Sequence, residues 1–407
     1  MKEVFNSILP NDDSKVEEIL DLGTSPLANG LIRKGDKVDS FPLKLGRCDK
    51  SGHVQLTTFI EPSEMFKNYL YISSVSSTLE AHLKSISQFI CDFINIENDS
   101  LCVDIGSNDG TLLSGFLEKG KRVLGVDPAE NLSKLAKDKG VETYTGYFGE
   151  TTSKDILAKY GKAKVITLTN TFPHLQNLSD FMKGVSTLIE DDGVLFLEAH
   201  YLADIYDQIA FDTIYHEHVS YWHLQPIIRM FKEFGFEIKF LERLPLHHGQ
   251  LRVVASKSNS IKQDNSVKEL IEWENENQIG SKDKAIDFAT NSLRIKDELN
   301  LMIKELKSTG KKIAGYGAPA KATTLMNFLN LDKSKIDFVS DRSNLKQGLI
   351  IPGTGIEIFH PDKIYEDKPD YLILFAWNFK DEIIKQLDNY KKQGGKLIIP
   401  IPKVEII

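Results

Sequence analysis

The feature that most constrains the fold is an alternation, beginning at Leu101, of short apolar runs with stretches of helical periodicity. The apolar runs lack alternating polar residues, so both of their faces are expected to be buried, as in a parallel sheet covered by helices. Helices between such strands indicate right-handed βαβ crossovers and predict an α/β, Rossmann-like domain. The runs are residues 101–105, 122–126, 165–168 and 194–197, with 237–240 and 251–255 predicted to complete the sheet.

The remaining sequence divides into three further parts. Residues 1–76 are broken by Pro and Gly into short pieces and predict a small β-rich lobe, and helical spacing from Ser77 opens the central domain, residues 77–258. Residues 259–308 are highly charged with helical spacing and predict a helical connector. Residues 309–407 predict a second Rossmann-like α/β domain, with a strand–turn–helix at 312–321 and further strands at 336–339, 371–375 and 396–399.

Composition excludes several classes of function. The 407 residues carry 50 basic and 58 acidic side chains, a net charge of −8, which gives no electrostatic reason to expect nucleic acid or an anionic membrane as partner. No run approaches 18 apolar residues and the first residues do not resemble a signal peptide, so we expect a cytoplasmic protein. Three cysteines, at 48, 91 and 102, are too few for a disulfide framework or an all-Cys zinc site.

The first chemical signal is a glycine-bounded turn between a strand and a helix. It contains Asn108 and Asp109 between Gly106 and Gly110, and Asp127 ends the next strand, where a carboxylate can accept from both hydroxyls of a ribose. An acidic turn repels phosphate but suits a cationic ligand such as S-adenosylmethionine, and an ordinary glycine turn is the alternative. The predicted cofactor residues are Asp104, Gly106, Asn108, Asp109, Gly110 and Asp127.

The second signal is the run Tyr215-His216-Glu217-His218, which lies in an apolar neighbourhood. Titratable residues are costly to bury without a function. His218 could act as a general base, Tyr215 as a donor to a developing oxyanion and Glu217 as an orienting group for the imidazole. The alternatives are a metal pair, for which spacing fixes no third ligand, and polar core residues with satisfied hydrogen bonds.

Weaker signals lie elsewhere. His174 follows the strand predicted at 165–168, at the ligand-binding edge of the central sheet, and His247-His248 precede the last strand. The turn 315–320 reads Gly-x-Gly-x-x-Ala and is followed by Asp341, which makes a nicotinamide-dependent oxidoreductase the rival enzyme class. Lys321, directly after this turn, could instead hold a phosphate at the helix N-terminus, and Thr323 is a second candidate there.

Taken together, these strings resemble the S-adenosylmethionine-dependent sugar C-methyltransferases that act on nucleotide-linked keto-deoxysugars. The resemblance runs nearly the whole chain. The strings that carry it are 21–23, 26–29, 41–43, 69–71, 104–110, 212–218 and 315–321.

The resemblance implies an activity and roles for individual residues. His218 would remove a proton from the sugar carbon next to a ketone, and the resulting enolate would attack the methyl group of S-adenosylmethionine. The residues expected to polarise the carbonyl or orient the base are Tyr215, Glu217, Tyr71 and His174. Those expected to bind the substrate are Asn29, His216, His248, Lys321 and Thr323.

The sequence departs from that family in its N-terminal lobe. Relatives bind zinc there with two close pairs of cysteines, whereas here the first pair is missing and the second keeps only Cys48, with His53 as a nearby substitute. We therefore expect this lobe to fold without metal. Changes at 170–174 and 247–250 fall on the expected sugar pocket, so the substrate could differ from the usual one. Methylation of a sugar hydroxyl or amine, and a non-catalytic binding module, stay open as alternatives.

Overall fold

The N-terminal lobe is built on an antiparallel sheet in a computed structural model that describes residues 1–66, 72–75, 77–245 and 249–407. In β3 the alternate side chains Leu43 and Leu45 are buried, as expected for a strand with one face on the core. β3 lies between β2 and β4. The elements are β1 (Lys2–Glu3), β2 (Val16–Ser25), β3 (Phe41–Cys48), β4 (Val54–Leu56), β5 (Thr58–Phe59) and α1 (Pro62–Phe66).

The central domain is a seven-stranded, mostly parallel sheet with helices on its faces, as the sequence predicts. Its strand order is β12-β13-β10-β9-β6-β7-β8, and the pairs that involve β13 are antiparallel. The elements are α2 (Ser77–Phe93), β6 (Leu101–Ile105), α3 (Thr111–Leu117), β7 (Arg122–Asp127), α4 (Glu130–Asp138), β8 (Thr143–Thr145), α5 (Glu150–Tyr160), β9 (Ala163–Thr169), α6 (Leu178–Leu188), β10 (Ile189–His200), α7 (Leu202–Asp207), β11 (Ser220–Tyr221), α8 (Leu224–Glu233), β12 (Glu237–Leu244) and β13 (Gln250–Ser256).

Burial explains why these segments take these forms. Every residue of β6 is buried, as a strand covered on both faces requires. The predicted apolar stripe of α2 is confirmed, since Leu83, Ile86 and Ile90 are all buried. α2 packs closely on α3 because Gly115 has no side chain there; a Cβ at this position would lie 2.4 Å from Ser87 Oγ. The helix that follows the cofactor turn is thus held against α2.

The helical connector and the C-terminal α/β unit also form as predicted. The C-terminal sheet has the order β16-β17-β15-β14-β18-β19-β20 and is mostly parallel. The elements are α9 (Asn265–Glu276), α10 (Lys282–Ser308), β14 (Ile313–Tyr316), α11 (Ala320–Phe328), β15 (Val339–Ser340), β16 (Ile350–Ile351), β17 (Ile356–Phe359), α12 (Lys363–Asp367), β18 (Tyr371–Leu374), α13 (Lys380–Gln386), α14 (Asp388–Lys392), β19 (Lys396–Ile399) and β20 (Glu405–Ile406).

Two details differ from the sequence-based expectations. The strand expected at 336–339 is assigned only from Val339, although Asp337 N already donates to the Ile313 carbonyl (2.9 Å). The N-terminal sheet also includes a strand from the central part of the sequence, since β11 pairs with β4 and Tyr221 lies opposite Val54. The domain boundaries stay predictions, and this pairing ties the smallest lobe directly to the segment that contains the Tyr-His-Glu-His run.

Candidate active site

The predicted cofactor turn lies at the carboxyl end of β6 and opens α3. Gly106 and Gly110 both have positive φ, +73° and +74°, which glycine adopts without strain. Gly106 also lies against Thr171, whose Oγ1 would be 2.1 Å from an added Cβ. Because His174 comes three residues after Thr171, the same short segment links the cofactor turn to the histidines described below.

Two buried carboxylates support this turn. Asp127 accepts from the backbone N–H of Asn108 (2.9 Å) and of Ala129 (2.8 Å). Asp104 accepts from Thr167 Oγ1 (2.6 Å), and burial raises its pKa to about 7, with the nearby Asp127 adding to the effect. Burial likewise raises the pKa of Asp127. Both carboxylates therefore lie where a cationic ligand would favour their charged form.

The turn is less acidic than its sequence suggests. Asp109 forms an ion pair with Lys139 (2.8 Å) and accepts from Thr111 Oγ1 (2.8 Å). Against the effect of burial, the Lys139 ammonium lowers the pKa of Asp109. Asn108 Oδ1 accepts from Ser73 N (3.0 Å). The Asp109 carboxylate is thus engaged within the protein, and its predicted contact with the cofactor stays a prediction.

Three histidines gather at the carboxyl edge of the central sheet. The ring of His218 lies 5.1 Å from that of His174 and 5.1 Å from that of His200, and 4.0 Å from the ring of Tyr215. Burial lowers the pKa of His218 well below its usual range, and the other two histidines lower it further. Burial also lowers the pKa of His174 to about 4. The His174 and His218 rings are therefore neutral at physiological pH.

The backbone sets the tautomer of two of these rings. His218 Nδ1 lies 2.9 Å from the Thr213 carbonyl oxygen, and His174 Nδ1 lies 2.6 Å from the Glu217 carbonyl oxygen. A carbonyl oxygen only accepts, so each Nδ1 carries the proton. Each Nε2 then keeps a lone pair, which is the state that a general base requires.

The other members of the run make contacts between lobes. Asn29 Nδ2 donates to Glu217 Oε2 (2.7 Å), which joins a predicted substrate residue to a predicted catalytic one. His216 is buried and its Nε2 lies 3.2 Å from the Pro42 carbonyl oxygen, with the Phe41 ring 5.9 Å away. His216 thus faces the N-terminal lobe and not the imidazole cluster, because successive residues of this short loop point in different directions.

The predicted phosphate-binding residues lie at an interface within the chain. Lys321 Nζ donates to Asn378 Oδ1 (2.7 Å) and lies 3.9 Å from Asp212 Oδ2. Thr323 is buried, and its hydroxyl donates to the Ala28 carbonyl (3.0 Å). Both residues have protein partners, and their contact with substrate stays a prediction. Tyr71 and His248, also predicted for the sugar pocket, lie outside the described residues.

Sequence reasoning missed two features of the site. His200 ends β10 next to the cluster, and its position at a strand end is a signal that could have identified it. Glu198, on the same strand, is buried and accepts from Arg252 Nη2 (2.6 Å) and lies 2.7 Å from His82 Nε2. That network depends on three distant segments, so no local pattern in the sequence indicates it.

The N-terminal lobe does not fit a zinc ion. Burial raises the pKa of the Cys48 thiol to about 11, whereas zinc binds the thiolate. His53 is buried against the Trp222 ring, 4.7 Å between centroids, and burial lowers its pKa to about 3. Within the described ranges, no group of three or more His, Cys, Asp or Glu residues could hold a metal ion.

Hydrogen bonds join the two loops of the N-terminal lobe that contain Asp12 and Ser51. Ser14 Oγ donates to Asp12 Oδ1 (2.6 Å), and Ser51 N donates to Ser14 Oγ (3.1 Å). Although burial opposes ionisation, hydrogen bonds from Ser14, Ser51 and Ser7 lower the pKa of Asp12 to about 2. Asp12 is therefore ionised at neutral pH and acts as the acceptor at the centre of these two loops.

None of the helices in the described part of the chain has both the length and the apolar character needed to cross a bilayer.

Three family descriptions match successive parts of the chain. Residues 12–66 match "Putative zinc binding domain", residues 80–239 match "Methyltransferase domain", and residues 245–402 match "C-methyltransferase C-terminal domain". The matches follow the three lobes in order, and the first of them covers the lobe whose residues do not fit a metal.

Individual relatives are similar over different lengths. The chain is 32% identical over 396 residues to the C-methyltransferase NovU of Streptomyces niveus, an alignment that covers 96% of this chain and 94% of that protein. It is 33% identical over 63 residues to an uncharacterized methyltransferase of Alkaliphilus oremlandii, 15% of this chain and 29% of that protein. A solved magnesium protoporphyrin IX methyltransferase from Synechocystis matches at 16% identity and a TM-score of 0.32, covering 44% of this chain and 79% of that one.

Proposed function

The chain belongs to the family of S-adenosylmethionine-dependent C-methyltransferases, and from that premise we propose that it methylates a carbon next to the ketone of a nucleotide-linked keto-deoxysugar. His218 is the base in this proposal. The observation that carries it is the hydrogen bond from His218 Nδ1 to the Thr213 carbonyl, which leaves Nε2 of the neutral imidazole unprotonated.

The base acts on an acidic C–H bond. A proton on a carbon next to a ketone is acidic because the resulting negative charge spreads onto the carbonyl oxygen. His218 Nε2 takes that proton, and the C–H electron pair becomes the enolate. The lowered pKa keeps the imidazole neutral and ready at physiological pH, and it favours return of the proton unless the oxyanion is stabilised.

In the proposal, the oxyanion is stabilised by a residue next to the base, Tyr215. The Tyr215 ring lies 4.0 Å from that of His218, so its hydroxyl is a candidate donor to the developing negative charge. His174 carries its proton on Nδ1, so its Nε2 is an acceptor, and in the proposal this residue orients the base and does not donate to the oxyanion. Glu217, held by Asn29, fixes the segment through the N-terminal lobe.

The cofactor turn has a donor set that suits S-adenosylmethionine. Asp127 would accept from the ribose hydroxyls, because each of its oxygens uses one lone pair on a backbone N–H and keeps another. Asp104 and Asn108 would complete the polar wall of the site. When bound, S-adenosylmethionine supplies an electrophilic methyl group on a cationic sulfur, which the enolate carbon takes as the S–C bond breaks.

The remaining assignments belong to the same proposal. Lys321 lies beside the catalytic segment, and in the proposal it and Thr323 approach the phosphate groups of the substrate. Asn29, His216 and His248 are proposed to bind the substrate as well. Tyr71 is proposed to line the sugar pocket. A cytoplasmic location and the absence of nucleic-acid and membrane partners likewise stay predictions.

A methyl-transfer assay tests the proposal. The protein is incubated with S-adenosylmethionine and a panel of nucleotide-linked 4-keto-6-deoxysugars, and the products are examined by mass spectrometry and carbon NMR. We expect one panel member to gain a methyl group bonded to carbon. A product with the methyl group on oxygen or nitrogen, or no product from any member, would contradict the proposal.

A further inference from the structure

The C-terminal lobe holds the segment that orients the proposed base. Trp377 Nε1 donates to Asp212 Oδ2 (2.7 Å), and Thr324 Oγ1 donates to the Ile214 carbonyl (3.1 Å). Asp212 is fully buried, and Thr324 and Trp377 are almost fully buried. A hydrogen bond to a carboxylate in such surroundings is stronger than one between neutral groups in water.

These anchors flank the carbonyl that sets the tautomer of the base. Asp212 and Ile214 are the residues on either side of Thr213, whose carbonyl accepts from His218 Nδ1. A peptide group is planar, so the direction of its carbonyl changes only through rotation about the backbone dihedrals of the residues on either side. Holding the Asp212 side chain before this peptide group and the Ile214 carbonyl after it therefore restricts the direction in which the Thr213 carbonyl points.

The N-terminal lobe holds the following residues of the same segment. His216 contacts the Pro42 carbonyl, and Glu217 accepts from Asn29. The base thus lies at the end of a segment whose first part, 212–214, is fixed by the C-terminal lobe and whose second part, 216–217, is fixed by the N-terminal lobe. The imidazole belongs to the central domain, and contacts with the two outer lobes hold the segment that orients it.

We infer that Asp212, Thr324 and Trp377 are positioning residues for His218, so that the C-terminal lobe takes part in proton abstraction. The inference rests on the proposed function, since it assumes that His218 is the base. These three residues act through the Thr213 carbonyl, and nothing in their role requires contact with substrate.

Two conservative substitutions remove the anchors. Trp377→Phe keeps an aromatic ring but removes the N–H donor, and Thr324→Val keeps the shape but removes the hydroxyl. Each should lower kcat by about tenfold, because a misplacement of about 1 Å at a reacting group can cost about 100-fold and a smaller displacement costs less. KM for S-adenosylmethionine should stay within about twofold, because the cofactor turn lies on β6 and α3.

Matched controls lose the same kind of bond elsewhere in the C-terminal lobe. Tyr390→Phe removes a buried donor to the Pro369 carbonyl (2.9 Å), and Thr354→Val removes a buried hydroxyl that donates to the Ile351 carbonyl (2.8 Å). Loss of stability alone would affect the controls and the test variants alike. We expect a similar fall in Tm in all four and a fall in kcat only in Trp377→Phe and Thr324→Val.

Nitrogen NMR of histidine-labelled protein gives a readout that does not depend on activity. In the wild type, His218, identified by its absence in His218→Asn, should show the signals of the Nδ1–H tautomer alone. In Trp377→Phe and Thr324→Val it should show a mixture of tautomers or a protonated ring, whereas the controls keep the wild-type signals.

The two readouts separate the possible failures. A wild type that methylates no panel sugar contradicts the proposed function, while its NMR signals still test the positioning. Wild-type kcat and a single tautomer in both test variants would overturn the inference. An equal loss of kcat in the controls would also overturn it, since the anchors would then act only through stability.

Discussion

The two α/β units each begin with a strand, a glycine turn and a helix, an arrangement called a corner below, and the two corners have different surroundings. In the central domain, Asp127 accepts from the turn N–H of Asn108 (2.9 Å) and from the backbone N–H of Ala129, two residues further on (2.8 Å). In the C-terminal lobe, Asp341 accepts from the turn N–H of Ala318 (2.7 Å) and from Ser343 N (2.8 Å). A strand, a glycine turn, a helix and a supporting aspartate thus recur with nearly the same hydrogen bonds.

The difference lies in what covers each corner. The turn at Gly106 lies against Thr171, which leads to the imidazole cluster. The helix after Gly317 is buried against the rest of the chain, with Thr323 bonded to Ala28 and Thr324 bonded to Ile214. A glycine turn with a following aspartate therefore describes a backbone corner, and its neighbours decide whether it serves a ligand or another lobe.

The largest effect is expected from an added methyl group at the positive-φ glycine that directly follows the first strand of each unit. Gly106→Ala places a Cβ at positive φ and 2.1 Å from Thr171 Oγ1, so it should destabilise the fold by about 2 kcal/mol and raise the Kd for S-adenosylmethionine more than about 100-fold. Gly317→Ala, also at positive φ and 2.8 Å from Ala376 Cβ, should destabilise similarly without changing that Kd. Thermal denaturation and calorimetry measure both quantities. Equal effects on cofactor binding would remove the distinction between the corners.

The two aspartates make a second matched pair. Asp127→Asn should raise the Kd for S-adenosylmethionine by about 100-fold, because it weakens the turn and removes the charged acceptor for the ribose. Asp341→Asn weakens an equivalent pair of backbone contacts and should lower Tm by a similar amount with the Kd unchanged. Calorimetry measures the Kd for S-adenosylmethionine in both variants. Weaker cofactor binding by Asp341→Asn would contradict the view that only the central corner serves the cofactor.

Cofactor binding at the first corner should depend on pH. In the free protein, burial raises the pKa of Asp104 to about 7, so this carboxyl is partly protonated at neutral pH. A cationic ligand favours the carboxylate, and binding must therefore release protons and strengthen as the pH rises. We expect the Kd to fall by up to about tenfold between pH 6 and pH 8. Calorimetry at several pH values measures this change, Asp104→Asn should flatten it, and a constant wild-type Kd would argue against the assignment.

The smallest expected effect is that of metal removal, which should affect neither corner. Because Asp12 and its serine neighbours join the loops of the N-terminal lobe, dialysis against a strong chelator should leave Tm and the Kd for S-adenosylmethionine unchanged. Asp12→Ala should instead lower the free energy of unfolding by about 1–3 kcal/mol, since it leaves buried donors without their acceptor. A large loss of Tm on chelation would show that the lobe binds metal.

Local patterns predicted the framework of the central domain. The run 101–105 is buried on both faces and forms β6, and the stripe that includes Leu83 and Ile90 forms the buried face of α2. The glycine turn lies where the sequence indicates, because positive φ and a strand end are properties of a few consecutive residues. The imidazole cluster was predicted in part, since His174 and His218 are brought together and His200 was missed.

Contacts between distant segments could not be predicted in the same way. The pairing of Tyr221 with Val54 joins residues far apart in the sequence, and neither strand is long enough to show a pattern. Lys321 and Thr323 have the composition of a phosphate site, yet their protein partners become visible only when the lobes are assembled. A lysine and a threonine after a glycine turn have the same local sequence whether they contact a ligand or another lobe of the protein.

Exchange of the acidic sugar proton tests the central claim most directly. The protein is mixed in deuterium oxide, without S-adenosylmethionine, with the keto-sugar nucleotide that the wild type methylates, and deuterium at the carbon next to the ketone is followed by NMR. The wild type should catalyse the exchange, and His218→Asn should slow it by at least about 1000-fold while it binds S-adenosylmethionine normally. Exchange at the wild-type rate in His218→Asn would contradict the assignment of His218 as the base.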